Sequence, residues 1–471
     1  MLFNSLLFLI FFPTVVLIYF ILPPKYRWIF LLIASYYFYM NWQPIYALLI
    51  SFSILTTWIC GVLLDKTEDI NKRKIYLTLS LIINFSILFL YKYYNFINTS
   101  IFSIFEYFNI RWEVPNLDVL LPVGISFYTF QAVGYTIDVY RKEIKAEKHI
   151  GIYALFVTFF PQLVAGPIER SKNLLPQFRE VKTLTIENLS AGFKLVLWGF
   201  FLKIVLADRL GMYVDAVFNN VDKHSGISHA LASFFFAFQI YGDVAGYSLI
   251  AIGVAKMMSF SLMTNFRRPY FATSVTTFWS RWHISLSTWF KDYLYIPLGG
   301  NRGTKARTYF NLFITFFVSG IWHGANFTFI IWGALHGLYC TVEKALGFDR
   351  KSNLNRLSFK SVFNILMTFV MVDFAWIFFR ANSVTDSFKI ICKIFTDFGS
   401  DLFIRWEIFF VAFVCLTILF FKEFTDEFFP NRCELLNNKN KYIRIVSMAL
   451  LFCLIILLGI FDSGQFIYFQ F

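Results

Sequence analysis

The chain has 471 residues, of which 58% are hydrophobic and only 15% charged. A soluble domain encloses its core in a polar shell, so this balance excludes a soluble protein. The formal net charge of +13 does not argue for nucleic-acid binding here, because excess Lys and Arg in a membrane protein mainly sets its orientation.

Charge-free apolar runs of about 18 residues or more predict spanning helices. Ten-residue alternating segments are lacking, which excludes a membrane β-barrel. Spans are expected near 5–22, 28–40, 44–64, 75–97 and 119–140. The first lacks a basic leader and a small-residue cleavage site, so it reads as a retained span and not a signal peptide. Basic loops at Pro23-PKYR, Asp65-KTEDINKRK and Tyr140-RKEIKAEKH alternate with connections near Asn41 and across 99–118 that carry almost no Lys or Arg. The positive-inside rule then puts the basic loops in the cytoplasm and the N-terminus on the extracytoplasmic side.

Residues 153–172 are apolar but broken by Pro161, Gly166 and Pro167, with basic flanks at both ends. That pattern fits a segment that dips into the bilayer and returns, lined by protein or water. Spans near 188–208 and 229–257 follow. Residues 267–308 mix aromatic and polar side chains too closely for a span and read as an interfacial helix. Spans near 309–322, 325–342, 362–380, 403–421 and 445–461 complete the chain. The expectation is an all-α polytopic protein of the cell's inner membrane, with about 10–12 transmembrane helices plus re-entrant and interfacial ones. It forms a single membrane-embedded domain over 1–471.

His323 stands in one of the most apolar stretches, with no charge between Arg307 and Glu343. An ionisable group at bilayer depth is costly and usually marks chemistry or transport, and imidazole suits proton movement near neutral pH. Trp322, Gly324 and Asn326 give it a semi-polar setting. His336 is expected to be packing, His149, His224 and His229 to be exposed bystanders in polar connections, and His283 to face either a donor entrance or the interface aromatics. Gln131, Asp138, Gln239, Tyr241, Asp243 and Asp373 are polar residues inside apolar runs. Ionised Asp at depth needs a partner, for which Arg141, Arg209 and Arg380 are candidates. Together these residues suggest a polar cavity. The six cysteines are scattered without a CxxC pair, and there is no HExxH, Walker A or GxGxxG. No metal site, bound cofactor or ATP drive is therefore expected.

Four stretches carry a family resemblance: Pro161-QLVAGPIER, Tyr241-GDVAGYSLIAIG, Trp279-SRWHISLSTWFKDYLYIPLGGNRG and Ser319-GIWHGANFTFIIWGALHG, with the terminal Phe466-IYFQF. The chain resembles the membrane-bound O-acyltransferase family, in its bacterial branch of alginate and peptidoglycan O-acetylation membrane subunits. Residues 90–345 hold the motif-bearing core. Leu249 stands where many relatives carry an acid, and Val244-Ala245 replaces a more usual Phe-Ser.

The resemblance implies helices around a central tunnel, with His323 as the essential histidine and His283 as the second functional one. It implies acyl transfer, chiefly acetyl, from acetyl-CoA or an acyl-carrier thioester to a cell-envelope or extracellular polysaccharide, through an extracytoplasmic partner protein. Neutral His323 would take the proton of the attacking hydroxyl, and Asn326 or backbone amides near Gly324 would face the oxyanion. Trp322, Tyr241, Asp243 and Gln162 are candidate substrate contacts. Arg302, with Lys291, Lys305 and Arg307, would suit an anionic donor. D-alanyl transfer to teichoic acid is the alternative acyl chemistry. A transporter of small anionic solutes is the competing class, since it uses the same buried polar groups.

Overall fold

The computed structural model describes residues 1–164, 166–348, 358–399, 402–429, 435–461 and 466–467. Among them all regular structure is helical. Their contacts gather into two compact units, Met1–Gly192 with Val254–Met263, and Phe193–Gly253 with the described residues from Thr264 onward.

The first unit holds α1 (Leu6–Ile21), α2 (Pro24–Met40), α3 (Tyr46–Lys66), α4 (Ile70–Tyr107), α5 (Ile125–Tyr140) and α6 (Ile150–Thr158). Pro24 opens α2 in the first turn, where no amide donor is needed. Arg73 is buried and joins three helix ends, donating to the carbonyls of Thr67 at 3.0 Å, Val139 at 3.2 Å and Tyr140 at 2.7 Å. One expectation is corrected here. The span near 75–97 does not stop there but runs on to Tyr107 through a π-turn at Phe89–Tyr93. The run IFSIFEY contains no Pro or Gly to end it. The connection beyond folds back onto it, Trp112 donating to Asn98 at 2.8 Å and Leu117 N–H to Asn95 at 2.8 Å.

The expected broken segment is broken. After α6 come one-turn helices at Phe160–Leu163, all buried, and Ser171–Leu174, of which Ser171 and Leu174 are buried; Ala165, within the quoted motif, lies outside the described residues. Gly124 precedes α5 with φ +74°, and a Cβ there would meet the Leu163 carbonyl at 2.7 Å.

The second unit contains nearly all of α7 (Ile186–Phe218) and α8 (Gly226–Met257), then α9 (Val275–Trp279), α10 (Ile284–Phe290), α11 (Lys305–His323) and α12 (Phe327–Leu346). It ends with α13 (Phe359–Arg380), α14 (Val384–Thr396), α15 (Trp406–Phe428) and α16 (Lys441–Leu458). Helices α3, α4, α7, α8, α13, α15 and α16 are long and apolar enough to cross a membrane. The protein is therefore an all-α polytopic membrane protein. Length and composition alone single out these seven among the described residues. Helices α1, α2 and α5 have only 16, 17 and 16 residues.

Region 267–308 is not one interfacial helix. It is α9 and α10, separated by His283 at φ 43°, followed by a π-turn at Lys291–Tyr295 and a glycine turn at Gly299–Gly300. Residues 381–402, read as a connection, contain α14.

A candidate active site around two histidines

Helices α11 and α12 cross backbone to backbone. A Cβ on Gly320 would lie 2.4 Å from the Phe329 carbonyl, and one on Gly333 would lie 2.6 Å from the Phe316 carbonyl. Small residues permit such approach in helix pairs. The crossing sets His323, the last residue of α11, against the first turns of α12.

His323 is 2% exposed. Its ring meets Trp322, Trp332 and Phe379 edge-on, with centroids 5.0, 4.9 and 5.4 Å away. Gly324 must follow it, because a Cβ there would strike Phe329 at 2.1 Å. Trp322 is buried, 6.4 Å from Phe290 of α10.

Asn326 has a local task. Its Oδ1 accepts from Thr328 N–H at 3.0 Å, capping α12, and its Nδ2 donates to the Asn382 carbonyl at 3.1 Å. One N–H of the amide expected to face an oxyanion therefore donates to Asn382. Asn382 in turn donates to Asn219 at 3.2 Å, which also accepts from Arg380 at 3.3 Å, and Arg380 pairs with Asp215 at 2.6 Å. The turn after His323 is tied by this chain to the end of α13, which supplies Phe379.

His283 is 1% exposed and has the left-handed backbone (φ 43°, ψ 53°) that starts α10. The strain is held by Asn265. Its carbonyl accepts from Ile284 N–H at 2.8 Å, its Oδ1 accepts from Ser285 N–H at 3.1 Å and Ser285 Oγ at 2.9 Å, and its Nδ2 donates to Ser248 at 2.8 Å. Ser285 Oγ also lies 3.5 Å from His283 Nδ1. Burial pushes the His283 imidazole down to about 3, so it is neutral at pH 7.

His336 is the packing residue the sequence suggested. It is fully buried, its Nδ1 accepts from Trp279 Nε1–H at 3.2 Å, and its ring lies 4.9 Å from Trp332. Seven residues along α12, Glu343 accepts from the amides of Val275 at 2.6 Å and Thr276 at 2.8 Å, capping the helix that carries Trp279. His149 is exposed and caps α6, its Nδ1 accepting from Ile152 N–H at 3.2 Å; His224 is half-buried. His229 corrects its expectation. It lies in the first turn of α8, fully buried, its Nε2 donating to the Val221 carbonyl at 3.1 Å.

Asp243 finds a charged partner other than the expected arginines. Asp243 pairs with Lys203 at 2.7 Å, Lys203 also reaches Asp208 at 2.8 Å, and Asp243 accepts from Ile467 N–H at 2.7 Å. Close contact of α7 and α8 at Gly199 and Gly246 allows this. Tyr241 donates to Glu423 of α15. Asp373 accepts from Ser233 at 3.2 Å and Asp138 from Ser171 at 3.2 Å. Arg209 instead donates to the Leu458 carbonyl at 3.1 Å. Sequence reasoning missed Lys203, although a lone lysine in the run WGFFLKIVLA was the available signal; Glu423 and Asn265 were missed too. In the first unit Gln162 is buried, donating at 2.9 Å to the Phe156 carbonyl, which Gln131 shares at 2.7 Å. Residues 468–471 of the terminal motif lie outside the described residues.

A cavity of about 430 Å³ opens in the second unit. Its walls include Ile284, next to His283, and Ser319, one turn before His323, with Trp279 and Phe290. Lys291 and Lys344 also line it, whereas Arg302 is exposed on the neighbouring turn.

The family description "membrane-bound O-acyltransferase" matches residues 83–388. The chain is 39% identical over 406 residues to the probable alginate O-acetylase of Pseudomonas aeruginosa, covering 85% of this chain and 76% of that one. It is 35% identical over 425 residues to the peptidoglycan O-acetyltransferase of Helicobacter pylori, covering 83% and 79%. A teichoic acid D-alanyltransferase of Streptococcus thermophilus is 29% identical over 295 residues, covering 59% and 69%. With this family match over residues 83–388 and these relatives, the chain is an O-acyltransferase and belongs to the membrane-bound O-acyltransferase family.

Proposed function

We propose that this enzyme takes an acetyl group from a cytoplasmic thioester, acetyl-CoA or an acyl-carrier protein, and passes it across the membrane for O-acetylation of a cell-envelope or extracellular polysaccharide, alginate-like or peptidoglycan. The observation that carries this reading is the cavity whose walls include neighbours of both His283 and His323. Its lining is mostly apolar, which suits an acyl-bearing thioester arm. Lys291 and Lys344 suit the phosphates such donors carry.

In the proposed step His323, as neutral imidazole, accepts the proton of the acceptor hydroxyl as its oxygen attacks the thioester carbonyl. The tetrahedral oxyanion collapses, the C–S bond breaks, and the imidazolium returns its proton to the departing thiolate. The products are an O-acetyl ester and a free thiol. His283, neutral and fixed by the Asn265 network, serves as a hydrogen-bonding group beside the donor and not as a cation. One Asn326 amide proton is engaged by Asn382, and the backbone amides near Gly324 are additional oxyanion donors.

The alginate and peptidoglycan relatives support acetyl over D-alanyl, since both align over more of the chain at higher identity than the D-alanyltransferase. The test uses membranes containing the protein and its envelope partner, supplied with labelled acetyl-CoA, acetyl-carrier protein or D-alanyl-carrier protein. Acetyl label in polysaccharide, lost in His323→Ala, is the expected result. Transfer of D-alanyl alone establishes the second reading, and wild-type transfer by His323→Ala removes the histidine assignment.

A further inference from the structure

Three residues separate α14 from Arg380, where α13, a spanning helix, ends. Three residues reach at most about 10 Å, so α14 begins at the membrane boundary. Ser383 and Asp386 cap its start, with Asp386 N–H donating to Ser383 Oγ at 3.0 Å.

Its faces are sharply divided. Ile390 and Ser387 are buried against the protein. Lys393 turns inward, donating to the carbonyls of Val221 at 2.9 Å, Asp222 at 3.1 Å and His224 at 2.9 Å, and Lys389 pairs with Asp222 at 3.2 Å. Phe388, Cys392 and Phe395 recur at helical spacing on another face. All three are exposed, Phe388 by 54% and Phe395 by 67%, and Phe398 just beyond the helix by 73%. Large aromatics so exposed, on a helix that cannot leave the bilayer surface, need an apolar cover.

We infer that α14 lies in the membrane interface at the Arg380 end of α13, with Phe388, Phe395 and Phe398 inserted into phospholipid acyl chains. Its lysines serve the protein and not the headgroups. Attachment therefore comes from apolar insertion and is indifferent to anionic lipid, unlike a basic amphipathic helix.

Cys392 stands on the inserted stripe and is a native labelling site. A nitroxide is attached there in full-length protein carrying Cys433→Ser and Cys453→Ser, reconstituted in phosphatidylcholine vesicles with and without phosphatidylglycerol. Collision with oxygen severalfold above collision with a water-soluble nickel chelate, equal in both lipids, is expected. Phe388→Ser with Phe395→Ser is expected to reverse that ratio while Lys393 keeps the helix folded against the protein. A label that collides mainly with the chelate, one shielded from both reagents by a second copy or another protein, or a depth that increases with phosphatidylglycerol overturns the inference.

Discussion

The indole N–H of Trp279 donates to Nδ1 of His336 across 3.2 Å. Indole is a donor only, so Nδ1 must keep its lone pair and His336 is a neutral imidazole with its proton on Nε2. It cannot take up a proton at Nδ1 without losing Trp279. His323 packs against the edges of Trp322, Trp332 and Phe379. The two histidines flank the same indole, Trp332, at 4.9 Å each, and are assigned different tasks.

His336→Gln retains an acceptor for Trp279 and is expected to keep acyl transfer of the same order as wild type. His323→Gln is expected to lose about 10²–10⁴-fold, the usual contribution of a general base, with unchanged insertion and elution. Comparable losses from the two substitutions would reverse the assignment.

His283 supplies a pH prediction. Its folded-state pKa lies near 3 because of burial, below about 6.5 in an unfolded chain. Between these values the unfolded chain binds the extra proton, so stability is full above pH 6.5 and falls as pH drops through the window. On acidification to pH 5 the loss from this residue is about 2 kcal/mol. Thermal or denaturant unfolding of His283→Gln is expected to show a shallower decline than wild type over that range. Parallel declines would mean that His283 is protonated in the fold.

Much of the membrane architecture was legible because apolar runs are local: α3, α8, α13 and α16 begin and end within a few residues of their expected bounds. Both histidine segments were also legible, since a polar residue in a charge-free run is a local anomaly. What the sequence hid depends on distant partners. His229 looked exposed beside Asp222 and Lys223, yet the fold of residues 218–224 buries it. Asp243 chose Lys203 over three arginines because α7 and α8 touch at glycines. The left-handed turn at His283 is held by Asn265, whose role no spacing rule announces.

The Lys203 cluster predicts a large stability effect. Lys203 is 2% exposed, between two carboxylates at 2.7 and 2.8 Å. Lys203→Met leaves both acids uncompensated and is expected to cost about 3–5 kcal/mol. Adding Asp243→Leu and Asp208→Asn removes the stranded charges and is expected to recover most of that loss. What is left is the Ile467 amide without its acceptor, about 1 kcal/mol. Unfolding of the single and triple variants in detergent measures both, and a single variant as stable as wild type would show that the pair is solvated.

The last prediction concerns how acetyl reaches a polymer. His323 is only 2% exposed and is walled by Trp322, Trp332 and Phe379. A polysaccharide chain is bulky, and opening these walls to admit it would separate rings in edge-to-face contact, each pair contributing about 0.5–1.5 kcal/mol. A single hydroxyl on a narrow, protruding group can approach His323 where a glycan strand cannot. The acetyl group is therefore expected to move first to such a hydroxyl, on a partner protein or mobile carrier, and only then to polymer. Purified protein in liposomes with acetyl donor and polymer is expected to give no acetylated polymer, while thiol release appears once a small hydroxyl acceptor is added. Adding the extracytoplasmic partner is expected to restore polymer acetylation, and His323→Ala to abolish both signals. Rapid polymer acetylation by the purified chain alone would show that the wall around His323 opens wide enough for the glycan, and no relay would then be required.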